Sequence, residues 1–239
     1  IVYELGEKFV LKEPTPEYKD EELDEIRVLN KLMKVEECKN IIPFKKLGQN
    51  KVVMLKADGN LFYLMKQIFQ HKDYKSFIKK TMLVICDICK CLINNEVFYF
   101  DLKPENILYR LADSDKIEIF LGDLGSFEFE TDSSMNGYPR FYVTSIIPPD
   151  DGYTAYNALD GEKKMVYILA VIFTECLYPK LMSLEINHEY YIYAQLMNEL
   201  LKHNKNSKLL PFIEKYLTPE LTSNHTITNF MRDLNSLSL

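Results

Sequence analysis

Asp101-Leu-Lys-Pro-Glu-Asn106, followed after an apolar stretch by Gly122-Asp-Leu-Gly125, decides how this chain is read. The first run sets a carboxylate, a lysine and a carboxamide close together, and the second adds another carboxylate. Between them, Ile107 to Leu111 and Ile117 to Leu121 read as the strands of a hairpin around Asp113 to Asp115. Such a hairpin would hold Asn106 and Asp123 on neighbouring strand ends.

Outward from the hairpin, the chain has a strand-rich first part and a helical second part. Val2 to Leu5 and Lys8 to Lys12 read as short strands around Gly6, and Pro14 and Pro16 break that pattern. A helix is expected next. Asp20 suits its N-cap, Leu23, Ile26, Leu29, Leu32 and Met33 recur at helical spacing, and Glu21, Glu22, Asp24 and Glu25 suit its positive end. Ile41 to Lys46 and Lys51 to Leu55 read as a β-pair turning at Gly48 to Asn50. From Asn60 the pattern becomes helical, with a long apolar-periodic segment from about Phe77 to Asn94. Ser126 to about Asp160 reads as loop, Met165 to Leu177 as a buried helix, and further helices are expected beyond it.

With 239 residues, 47% of them hydrophobic, the chain can bury a substantial core and fits one domain or two closely joined lobes. A net charge of -6 and a pI near 5.4 argue against a phosphate-backbone binder, so nucleic acid is not an expected partner. The apolar run Met165 to Tyr178 contains Thr174, Glu175 and Cys176 and is shorter than the roughly 20 residues that cross a bilayer, so no membrane span is expected. Cys38, Cys86, Cys89, Cys91 and Cys176 form no paired CxxC clusters, and neither a disulfide framework nor a zinc site is implied. Packing is the expected role of Cys86, Cys89 and Cys91. A reducing, cytoplasmic compartment is the default, while the sequon Asn224-His-Thr226 permits secretion.

The two polar runs resemble the catalytic loop D-x-K-x-x-N and the metal motif D-F-G or D-L-G of eukaryotic-type protein kinases. That resemblance implies an α+β, two-lobed fold: a small β-rich N-lobe over about 1–56, a hinge at about 55–59 and a larger, mostly helical C-lobe over about 60–239. It also implies ATP and Mg²⁺ as cofactors and a protein hydroxyl as substrate. Asp101 would accept or orient the hydroxyl proton, Lys103 would steady the transferred phosphate, and Asn106 and Asp123 would hold Mg²⁺. Phe9-Val-Leu-Lys12 resembles the V-A-I-K strand, so Lys12 would hold the α and β phosphates and Glu25 would pair with it. Met54-Leu-Lys-Ala-Asp-Gly-Asn-Leu61 resembles the hinge, which would put Met54 behind adenine and make the backbones of Leu55 and Ala57 its partners. Val2 and Val10 would pack on the base and Leu108 beneath it. Lys103 is similar to the lysine of Ser/Thr kinases.

Departures from the family pattern are physically connected. The sequence holds no match to its glycine-rich loop: if Ile1-Val-Tyr3 matches the residues just after that loop, the glycines would lie upstream of Ile1, and true absence of the loop is the alternative. H-R-D reads Tyr99-Phe-Asp101, and Met165 stands where the later helix carries an aspartate. Breaking a buried charged pair costs about 3 to 5 kcal/mol, whereas exchanging the whole group for packed apolar side chains can be neutral. Contact between Phe100 and Met165 is therefore expected. Asp150 and Asn224 occupy positions where the family pairs Glu with Arg. Without an arginine at 100, a phosphate on Thr131, Ser133, Ser134, Thr144 or Ser145 lacks its usual ionic partner, which implies constitutive activity or control by a regulatory protein. Val10 replaces the usual alanine, at about 1 to 3 kcal/mol of crowding unless the pocket is reshaped. An active Ser/Thr kinase is the leading expectation. A pseudokinase acting as an interaction or allosteric module is the alternative, and a small-molecule kinase a third.

Overall fold

The computed structural model describes residues 1–14, 26, 38–48, 50–112, 116–123, 127–129, 160–178, 209–217 and 224–239. The first part is an antiparallel sheet of β1 (Val2–Leu5), β2 (Phe9–Lys12), β3 (Phe44–Lys46) and β4 (Val52–Leu55), in the order β1-β2-β4-β3. Short β-branched and aromatic runs separated by turn residues favour this arrangement. Of the helix expected over residues 20–33, only Ile26 is described, and it is helical and buried. The strand expected from Ile41 starts later, at Phe44. Ile41 instead forms a parallel bridge with Leu121, and Pro43 interrupts the run.

A second sheet, in the order β5-β7-β8, carries the candidate site. It comprises β5 (Gly59–Asn60), β7 (Ile107–Leu111) and β8 (Ile117–Leu121). Ile107 faces Leu121 and Leu111 faces Ile117, as the expected hairpin requires, while its turn at 113–115 lies outside the described residues. A two-stranded sheet pairs β6 (Val97–Tyr99) with β9 (Phe127–Phe129). The latter falls inside the stretch expected to be loop. Three residues are too few for alternation to show, and the partner lies far away in sequence.

Five described helices make up the rest: α1 (Leu61–Ile68), α2 (Tyr74–Asn94), α3 (Gly161–Leu177), α4 (Leu209–Tyr216) and α5 (Ile227–Ser236). Asn60 caps α1 by accepting from Tyr63 N, and Asp160 caps α3 by accepting from Lys163 N. Almost every side chain of α3 is buried, which explains its uninterrupted apolar sequence. No described helix is long and apolar enough to cross a membrane.

Cysteine pairing departs from the expectation. Cys38 and Cys91 form a disulfide with Cα atoms 5.5 Å apart and a sequence separation of 53. An odd cysteine count and distant positions conceal such a pair, because proximity arises only after folding. Cys86 and Cys89 are buried thiols, as expected, and burial pushes Cys89 up to about 12.

Candidate functional site

The candidate site is built where β6 runs into the Asp101 turn and where β7 and β8 begin and end. Asp101 is buried, with only 7% exposure. An ionised side chain there needs donors, and three hydrogen bonds supply them. Lys103 Nζ donates to Asp101 Oδ1 and Oδ2, each at 2.9 Å, and Asn106 Nδ2 donates to Oδ2 at 3.0 Å. Asn106 Nδ2 also donates to the Asp101 carbonyl at 2.8 Å. Pro104–Asn106 forms one 3₁₀ turn, which returns the chain so that the amide meets the acid.

The hairpin brings the second acid to the first. Gly122 N donates to the Asn106 carbonyl at 2.9 Å, so Asp123 follows directly from a residue bonded to Asn106. A side chain at Gly122 would force Leu108 to move, since its Cβ would lie 2.6 Å from Leu108 Cδ1. Leu108 thus packs against the backbone that delivers Asp123. Asp123 has φ 49°, a left-handed conformation that aspartate tolerates better than most residues. Lys12 Nζ donates to Asp123 Oδ1 at 3.1 Å and links the first sheet to the hairpin.

Ladder register places other expected residues on one face of the first sheet. Val2 faces Lys12, Val10 faces Met54, and Lys12 faces Val52, and directly opposed residues share a face. Val2, Val10, Lys12 and Met54 are therefore together. Leu55 N donates to the Pro43 carbonyl at 2.8 Å. Proline has no N–H to answer that bond, so the Leu55 carbonyl loses its ladder partner on that side. The Ala57 backbone makes no hydrogen bond among the described residues, although its neighbours do: Lys56 N donates to Lys8 O and Asp58 N to Tyr109 O. Glu25, Thr131, Ser133, Ser134, Thr144, Ser145 and Asp150 lie outside the described residues.

Tyr99 is a positioning group that the sequence reading missed. It is fully buried, and its hydroxyl donates to the Gly122 carbonyl at 3.2 Å, one residue before Asp123. Burial and then the charges of Asp123 and Asp101 push its phenol well above the ordinary value, so it remains a donor. A tyrosine inside an otherwise apolar strand was the available signal, since a buried hydroxyl needs a partner. Phe100 and Met165 are both buried in one core. The Phe100 ring stacks on Phe98 with centroids 6.1 Å apart, and the Lys164 ammonium lies 5.9 Å from its centroid. Phe98 in turn lies against Gly161, where a Cβ would approach its ring to 2.6 Å.

No group of three or more His, Cys, Asp or Glu side chains that could hold a metal ion occurs among the described residues. The backbones that carry Asn106 and Asp123 are joined where Gly122 N donates to the Asn106 carbonyl. Asn106 commits its nitrogen to Asp101, and its side chain also hydrogen-bonds with Tyr99. Asp123 meets Lys12 through Oδ1. This suits Mg²⁺, which often takes one or two protein oxygens and fills its remaining positions with phosphate and water.

No family model matches the sequence. By shape, the chain is similar to the solved structure of the Rad53 kinase domain and SCD2, with a TM-score of 0.65 and 17% identity over 98% of this chain and 84% of that one. The fold is kinase-like, a mixed α+β arrangement with a β-sheet N-terminal region and a helical C-terminal region.

Proposed function

We propose that the chain is a protein Ser/Thr kinase that transfers the γ-phosphoryl group of ATP to a protein hydroxyl with Mg²⁺. The observation that carries this reading is the convergence of Asp101, Lys103, Asn106, Asp123 and Lys12 within a kinase-like fold. Bound Mg²⁺-ATP supplies the transferable group and the counter-charge on its phosphates. Asp101 receives or orients the hydroxyl proton, with its carboxylate direction fixed by Lys103 and Asn106. Lys103 meets the transferred phosphate, and Lys12 meets the phosphates behind it. Val2, Val10, Met54 and Leu108 enclose the base, while the Leu55 carbonyl and the Ala57 backbone are its hydrogen-bonding edge. Residues of about 1–56 act as N-lobe, about 55–59 as hinge and about 60–239 as C-lobe.

Asp101→Asn tests this directly. ATP-dependent labelling of a protein substrate should be abolished while the unfolding midpoint stays near that of the unaltered chain. Full transfer by the variant would remove Asp101 from the mechanism. A second reading, a pseudokinase acting as an interaction module, is favoured by the direct pairing of Val10 with Met54, which narrows the space for a base. Titration with Mg²⁺-ATP separates the two, because absence of binding supports the module.

A further inference from the structure

We propose that the Cys38–Cys91 disulfide is a reducible tether that holds the Asp123 turn in order and is opened by a dithiol reductant; its effect on nucleotide rests on the kinase reading above. The bond joins the segment that begins at Cys38 to the last turn of α2. Immediately after Cys38, residues 40–42 form a strap along β8. Leu121 N donates to the Asn40 carbonyl at 2.9 Å, and Ile42 N donates to the Leu121 carbonyl at 3.0 Å. Asn40 Nδ2 also donates to the Ile119 carbonyl at 2.9 Å. β8 then ends, and Gly122 and Asp123 follow. The disulfide thus anchors one end of the strap whose other bonds grip the strand that delivers a candidate metal ligand.

Its surroundings suit exchange better than permanent closure. Cys38 is half-buried whereas Cys91 is buried, so an incoming thiolate reaches the Cys38 sulfur and Cys91 is the leaving group. Asn95 is held beside it. Its Nδ2 donates to the Cys91 carbonyl at 2.8 Å and lies 3.8 Å from Cys91 Sγ, where an N–H stabilises a departing thiolate. Cys86, Cys89 and Cys176 are buried thiols, and burial pushes all three upward, so they do not compete as attacking thiolates. In the overall step a dithiol gives two electrons and two protons. Its own sulfurs close to a disulfide, the Cys38–Cys91 bond breaks, and two protein thiols form.

Hydrogen exchange of the full chain before and after dithiol treatment tests the tether, with thiol titration confirming complete reduction. Segments 38–42 and 117–123 should exchange about tenfold faster after reduction, while α5 stays unchanged. Cys38→Ser should show the faster exchange with or without reductant. Affinity for Mg²⁺-ATP should fall by a similar factor in the reduced chain. Unchanged exchange after full reduction would overturn the proposal, as would five free thiols in protein isolated and unfolded without reductant. Faster exchange of the two segments, with no nucleotide binding by either form, would support the tether and reject the kinase reading.

Discussion

Val97 to Phe100 and Asp101 to Asn106 are consecutive and largely buried, yet they are held by different forces. The first stretch is apolar and secured by packing: Phe98 stacks on Phe100 and fills the space above Gly161. The second is polar and secured by hydrogen bonds that converge on the Asp101 carboxylate. Packed groups can be exchanged for other packed groups of similar volume at small cost, whereas a buried acid that loses its donors is left with an uncompensated charge. Phe100 and Met165 belong to the packed side of this contrast, and Asp101 to Asn106 to the hydrogen-bonded side. This difference implies that substitutions in the polar half act mainly on activity and those in the apolar half mainly on stability.

The largest effect should come from the polar side. Asp123→Asn should lower phosphoryl transfer by at least about 10³-fold, or about 4 kcal/mol of barrier. The Lys12–Asp123 pair is partly exposed, and such a pair adds only about 0 to 1 kcal/mol to stability, so urea unfolding should change little. Equal losses of stability and activity would erase the distinction between the halves. On the apolar side, Phe98→Ala should cost about 3 kcal/mol in urea unfolding. Gly161→Ala alone should cost about 1 to 3 kcal/mol by forcing a methyl group into the Phe98 ring. In the Phe98→Ala background that penalty should vanish, and simple additivity of the two costs would show that the ring and Gly161 do not constrain each other.

Legibility in the sequence followed the range of the interactions. Asp101, Lys103 and Asn106 lie within one turn, so their spacing already encoded the contact later found among them. The β7–β8 hairpin and the helices α2 and α3 were readable because periodicity and continuous hydrophobicity are local properties. The β6–β9 pair was not, since Val97–Tyr99 and Phe127–Phe129 are too short to reveal their partners. The Cys38–Cys91 bond and the strap from Asn40 to Ile42 escaped for the same reason. Each depends on where residues 38–42 meet α2 and β8, and no local pattern records that meeting. Tyr99 lay in view, but its hydroxyl acquires a role only once β8 carries the Gly122 carbonyl to it.

A charge effect of intermediate size extends the comparison to α3. Burial, followed by the nearby charge of Glu105, raises Glu175 from its ordinary 4.5 to about 7. Between those values the folded chain holds a proton that the unfolded chain has released, so stability is present below about pH 4.5 and lost as pH rises toward 7. With one pH unit worth about 1.4 kcal/mol, the interval from 4.5 to about 7 sets an upper bound of about 3.5 kcal/mol on that loss. Glu175→Gln should therefore stabilise the protein at pH 8 and leave it nearly unchanged at pH 4. Urea unfolding at the two values checks the sign, and a larger gain at the acid value would overturn the assignment.

The smallest effect belongs far from the polar loop, at the start of α5. Thr226 has extended backbone angles, and its hydroxyl accepts from Asn229 N at 3.2 Å, satisfying one of the donors that an α-helix leaves open in its first turn. Asn229 Nδ2 also donates to the Asn224 carbonyl at 2.7 Å, so the backbone before the cap is tied to the same turn. Thr226→Ala removes one acceptor and leaves the second contact in place. It should cost about 1 kcal/mol in urea unfolding, and Thr226→Ser should restore most of that loss because the hydroxyl returns. Phosphoryl transfer should be unchanged in both variants, since Thr226 has no place in the proposed site. A loss of activity without loss of stability would mean that α5 influences the polar loop by a route other than global folding, and the division between packing and chemistry would then need to be drawn elsewhere.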